Sequence, residues 1–124
     1  MNLLIVMLGG AFGAGARHLA GRAALTAFGP GYPWGTLLVN LGGGLLMGLL
    51  AGVLARIGEG GEQWRLLLGV GVLGGFTTFS AFSLDVMVML ERGDWGAALG
   101  YILASVIGSV AALALGLSLT RIAA

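Results

Sequence analysis

Gly74-Gly75-Phe76-Thr77-Thr78-Phe79-Ser80-Ala81-Phe82-Ser83-Leu84-Asp85 falls around the middle of an apolar run that opens near Trp64 and reaches about Leu90. Such a run is long enough to cross a bilayer, which takes about 20 apolar residues. Two adjacent glycines followed by two threonines interrupt it. Glycine is a weak helix former, and β-branching with a competing hydroxyl disfavours regular helix at the threonines. The stretch predicts a spanning helix that breaks between Gly74 and Thr78. At membrane depth a break persists only where it is buried in protein or lines a cavity. Its freed carbonyls suit a cation, and its freed N–H groups suit an anion. Beyond the break, Phe79 and Phe82 are i, i+3 neighbours, as are Ser80 and Ser83, which sets an aromatic edge beside a hydroxyl edge. Phenylalanines in such a place are also ordinary packing or lipid-facing residues.

Outward from this segment the whole chain is apolar. Of 124 residues 58% are hydrophobic and 9% charged, and the mean hydropathy is +1.02. A soluble domain carries about 25% charged residues, so the outer surface of this one must face hydrocarbon. Three further apolar runs flank the broken one. The four spans are expected at about residues 2–28, 34–56, 64–90 and 95–120, separated by turns rich in Gly, Pro and charge. The reading is an all-α membrane protein with four transmembrane helices, the third broken near its middle, in a single domain over residues 1–124. Trp34, Trp64 and Trp95 stand at helix starts, as interfacial anchors do. The first run reads as a span and not as a cleavable signal, because it lacks a basic leading region and Arg17 and Arg22 follow where cleavage would fall.

The remaining composition excludes several functions. The net charge is +1 with no basic tract, which argues against a nucleic-acid partner. Without cysteine there are no disulfides, thiol catalysis or thiolate metal sites. One histidine and five scattered acids assemble no nucleophile–base pair, metal cluster or phosphate loop, so an enzyme is not expected. The 25 glycines instead suit close helix packing in lipid. Gly9-x-x-x-Gly13, Gly44-x-x-x-Gly48, Gly48-x-x-x-Gly52, Gly71-x-x-x-Gly75 and Gly96-x-x-x-Gly100 all carry the spacing for it.

An even number of spans puts both termini on one side. Arg56, Arg65 and Arg121 then lie with the termini, and Arg17, Arg22 and Arg92 with the opposite loops. Orientation follows the asymmetry of basic residues, and three against three has none. The expectation is insertion both ways up, which permits an antiparallel, dual-topology homodimer.

Polar groups inside the spans need partners and are the best functional candidates. Thr36 and Asn40 lie one turn apart on the second helix. Tyr101, Ser105 and Ser109 form an i, i+4, i+8 hydroxyl stripe about 12 Å long on the fourth. A serine there also serves as a small packing residue or bonds its own helix. An asparagine amide has four hydrogen-bonding positions to satisfy, by an interhelical bond or by a ligand.

The quoted segment resembles the signature of the Fluc (CrcB) fluoride channels, usually G-G-x-T-T-F-S-T-F-S-x-E. Gly35-Thr36-Leu37-Leu38-Val39-Asn40-Leu41-Gly42 is similar to that family's G-T-L-x-x-N-x-x-G, and Gly9-Gly10-Ala11-Phe12-Gly13-Ala14-Gly15-Ala16-Arg17 to its G-G-x-x-G-x-x-x-R. The resemblance spans the chain. It implies a multi-pass protein of the cell (inner) membrane that lets fluoride leave the cell down its electrochemical gradient. It also implies an antiparallel homodimer with two separate pathways. Gly74 and Thr77 would offer backbone carbonyls to one structural sodium ion on the dimer axis. Phe79 and Phe82 would line the pathways, with Asn40 as a polar donor near them, Ser80 and Ser83 on the hydroxyl edge, and Tyr101, Ser105 and Ser109 along the fourth helix. Three positions depart from the pattern: Ala81 for a threonine, Asp85 for a glutamate, and His18 where an aromatic is usual.

Two rivals share the architecture. A small drug/proton antiporter needs a carboxylate deep in a span, and Asp85, about 9 Å by helical rise from Glu91, is the only candidate. A membrane scaffold would need only the glycine packing.

Overall fold

The computed structural model describes residues 2–58 and 60–122. Among these it is helical without strands: α1 (Asn2–Phe28), α2 (Trp34–Ile57), α3 (Glu62–Trp64), a π-helical stretch (Arg65–Leu73), α4 (Gly74–Phe76), α5 (Ser80–Glu91) and α6 (Trp95–Ile122). Four spans are long and apolar enough to cross a membrane: Asn2–Phe28, Trp34–Ile57, Glu62–Glu91 and Trp95–Ile122. Their ends lie within two residues of the expected ones.

The turn after α5 shows how the chain stops a helix without side-chain caps. The Gly93 amide donates to Leu90 O at 3.0 Å and the Asp94 amide to Met89 O at 2.9 Å. This is a Schellman closure, and it requires the φ of +82° that Gly93 adopts. It satisfies carbonyls that hydrocarbon could not, and it lets α6 begin at once.

Glycine decides which helices meet. α2 packs most extensively on α6, and α1 on the π stretch and α4. A Cβ on Gly48 would collide with Leu113 O, one on Gly52 with Thr120 Oγ1, and one on Gly13 with Val72 O; one on Gly75 would lie 2.6 Å from Gly10 O. Four of the five glycine spacings are therefore used within the chain. Gly96 and Gly100 are the exception, with nothing within 4 Å of either added Cβ. The third span was expected as ordinary helix up to its break. Instead it is π-helical over nine residues, with the Gly74 amide reaching back to Gly69 O. The wider turns bring Gly71 against Gly9, where a Cβ on either would meet the other's Cα at 3.0 Å.

The break falls at the threonine end of the expected stretch. Gly74 keeps helical dihedrals, φ −62° and ψ −39°, and Gly75 lies on the α1 seam. Thr77 leaves the helix with φ −89° and ψ 157°, and helix resumes at Ser80. The glycine pair serves contact with α1, and the chain turns at the threonines.

A small core forms where α5 meets α2 and α6: Leu37, Phe82, Met89, Ala98 and Tyr101 are buried together. Most of the exterior is apolar, with Leu3, Phe12, Leu19, Val110 and Ile122 among the exposed side chains. Water would penalise so much apolar surface, and hydrocarbon does not.

Candidate functional site

The break is held by Asn40. Its Nδ2 donates to Thr78 O at 3.0 Å, and its Oδ1 accepts the Thr78 amide at 2.9 Å. In an unbroken helix that amide would bond Gly74 O, so the clamp frees the Gly74 carbonyl. One step on, the Ala81 amide donates to Thr78 Oγ1 at 3.1 Å and not to Thr77 O, which frees the Thr77 carbonyl as well. The two oxygens assigned to sodium by the family resemblance are therefore both released from their helical donors. Freed neutral carbonyls at membrane depth suit an oxygen-coordinated monovalent cation. Arg17 Nε donates to the neighbouring Gly75 O at 3.3 Å. A Cβ on Gly43 would collide with Thr77 Cγ2, so that glycine seats the threonine. Among the described residues no group of His, Cys, Asp and Glu could hold a metal.

Where the chain re-enters helix, Thr78 Oγ1 caps α5 through Ala81. The Phe79 and Phe82 amides have no backbone acceptor among the described residues. The start of a 12-residue helix thus sits at membrane depth with its partial positive charge facing a groove. That groove, about 410 Å³, is lined by Asn40, Thr77, Thr78, Phe79, Phe82, Ser105 and Ser109, with apolar walls from Met47, Val106, Val110 and Leu113. The Phe79 and Phe82 ring centroids are 5.5 Å apart with planes tilted by 44°. Phe82 is buried, whereas Phe79 is 76% exposed. Ser105 Oγ is buried without a hydrogen-bond partner among the described residues.

Five of the eight expected pathway residues therefore converge on one groove: Asn40, Phe79, Phe82, Ser105 and Ser109. The other three do not line it. Ser83 Oγ donates to Phe79 O at 2.9 Å, and Ser80 Oγ lies 3.4 Å from Thr78 Oγ1, so both serve the helix start. Tyr101 is fully buried, with its ring 5.1 Å from that of Phe82, and its hydroxyl donates to Asp85 Oδ2 at 2.9 Å. Asp85 belongs to a second cavity of about 380 Å³ with Tyr32, Thr36 and Arg92. Burial there pushes the Tyr32 phenol above its ordinary value.

For Asn40 the sequence left an interhelical bond and a ligand both open without naming Thr78, and two contacts were missed outright: Arg17 on Gly75 and the Asp85–Tyr101 bond. A signal existed for the last. A sole carboxylate inside a span needs a donor, and the tyrosine of the hydroxyl stripe was available on the neighbouring helix.

The family model described as CrcB-like protein, Camphor Resistance (CrcB), matches residues 4–117. Curated relatives share most of the chain. A fluoride-specific ion channel FluC of Phenylobacterium zucineum is 61% identical over 96% of this chain and 94% of its own length. Proteins of the same name are 58% identical in a Chelativorans species, covering 97% and 96%, and 57% in Sphingopyxis alaskensis, covering 97% and 95%.

Proposed function

The chain belongs to the CrcB family, and from that membership we propose that it is a fluoride-selective ion channel, a multi-pass protein of the bacterial cell membrane through which fluoride leaves the cell down its electrochemical gradient. The observation that carries this reading is the groove beside the clamped break. Fluoride is small, strongly hydrated and a hydrogen-bond acceptor, so a pathway must replace its water with donors. The groove offers the Phe79 and Phe82 amides at the start of α5, the second Asn40 N–H, and the Ser105 and Ser109 hydroxyls. An aromatic edge is the positive part of a ring, and Phe79 and Phe82 stand at the same place. All of these groups are neutral, so they bind the ion without trapping it, as conduction requires.

One chain leaves the groove open and Phe79 exposed. An inverted second copy would close it, in keeping with the even division of arginines. That arrangement gives an antiparallel homodimer with two pathways. The Gly74 and Thr77 carbonyls of both copies would hold one sodium ion at the axis, where it supplies a fixed positive charge. Asn40, by keeping Thr78 away from Gly74, keeps those oxygens available.

The test is fluoride efflux from proteoliposomes. Rapid fluoride loss without stoichiometric sodium is expected. Proton-coupled cation flux would favour an antiporter, and no flux of any ion would favour a scaffold.

A further inference from the structure

A third cavity, about 260 Å³, lies on the α1 side of the break. It is lined by Arg17, His18, Arg22, Thr36 and Val39, and it reaches Thr78 itself. Arg17 contributes one N–H to Gly75 O, which leaves the rest of its guanidinium for the cavity. Arg22 has no carboxylate partner, since the ion pair among the described residues joins Arg65 and Glu62. His18 is thus faced by Arg17 and Arg22 from its own helix and by no titratable group of α2 in this cavity. The adjoining cavity shares Gly21, Leu25, Gly35 and Thr36 with this one and holds Tyr32, Asp85 and Arg92. There Asp85 is already bonded to Tyr101.

An anion held in this cavity meets two guanidinium charges, and a third positive charge whenever the imidazole carries a proton. An imidazole titrates within the physiological range, so the cavity couples a proton to an anion. Such coupling is reciprocal: whatever factor the anion adds to proton affinity, the proton adds to anion affinity.

We propose that His18 takes up a proton from water as an anion enters the Arg17–His18–Arg22 cavity, so that anion capture strengthens as the pH falls. The proton returns to water when the ion moves on towards the break. The inference rests on the fluoride-channel reading for the identity of the anion.

The chain has a single histidine, so the imidazole resonance of tag-free protein in micelles reports His18 alone. Its titration midpoint is expected to be higher in sodium fluoride than in sodium gluconate of equal strength. A midpoint that ignores fluoride overturns the proposal. Initial fluoride efflux at low fluoride, with equal pH on both sides and protein-free liposomes subtracted, is expected to be at least about threefold faster near pH 5.5 than near pH 7.5. In His18→Gln, which keeps hydrogen-bonding atoms but gains no charge, that ratio should fall to about one. A flat profile in the parent chain, or an unchanged ratio in the variant, overturns the proposal and leaves the channel reading standing. No flux at any pH overturns both. Should the variant not fold, the resonance of the parent chain still decides.

Discussion

Asn40 donates to the carbonyl and accepts from the amide of one residue, Thr78, so a single side chain supplies both bonds that an unbroken helix would have given it. Asn40→Asp keeps the acceptor but sets a carboxylate oxygen against the Thr78 carbonyl. Asn40→Ala leaves both backbone groups unpaired, at about 1–3 kcal/mol for each. Both are expected to reduce fluoride efflux to the level of protein-free liposomes, and the alanine variant should also unfold at a lower temperature. Ser105 is the contrast. Its buried hydroxyl has no partner among the described residues, so Ser105→Ala removes no bond within the chain. Its stability should hold or rise, while efflux falls at least about threefold, roughly 0.7 kcal/mol on the barrier. Initial efflux rates and thermal loss of the monodisperse elution peak read both effects. Parent-like efflux in both Asn40 variants would remove Asn40 from the pathway. Asparagine at this position was recognisable as a group needing partners, but a sequence does not say whether a ligand or the backbone of another span, 38 positions on, provides them.

The helices were legible as elements because hydrocarbon rewards long apolar runs and glycine or proline ends them. Which glycines bear on packing was not legible, because all five pairs have the same spacing. Gly48 and Gly100 separate the cases. A Cβ on Gly48 meets backbone at Leu113 and Gly116, whereas one on Gly100 meets open space. Gly48→Ala must push α2 and α6 apart and is expected to destabilise the protein by about 1–3 kcal/mol. Gly100→Ala gains helix propensity and should leave the fold as stable or more so, by up to about 1 kcal/mol. Unfolding in detergent, followed by circular dichroism, measures both. Equal effects would mean that the α2–α6 seam is not as close as described. The position of the third-span break has the same origin. Gly74 and Gly75 are poor helix formers, yet contact with α1 holds them helical, and the clamp moves the turn to the threonines.

At the scale of the whole molecule, the six arginines divide evenly between the two sides of the four-span arrangement. The ion pair of Arg65 with Glu62 at 2.6 Å does not alter that balance, because acidic residues contribute little to orientation. Replacing Arg56 and Arg65 together by serine leaves one arginine against three. Reporters fused to the C-terminus are expected to signal from both sides of the membrane for the parent chain and chiefly from one side for the variant. A parent chain that reports from one side alone would argue against an inverted pair of copies. The exposed Phe79, beside an open groove, asks for the same partner from the structural side.

The apolar runs, the four spans, the interruption in the third and the family signature all follow from the order of residues. They depend on local composition and on the bilayer, which acts on each span alone. Partnership was left to tertiary structure. Asn40 meets Thr78 across 38 positions, Tyr101 leaves its helical stripe to meet Asp85, and Arg17 reaches Gly75 across 58. A polar group in a membrane must find a partner, and several candidates satisfy that need equally well until glycine seams bring particular helices close enough for one of them to bond.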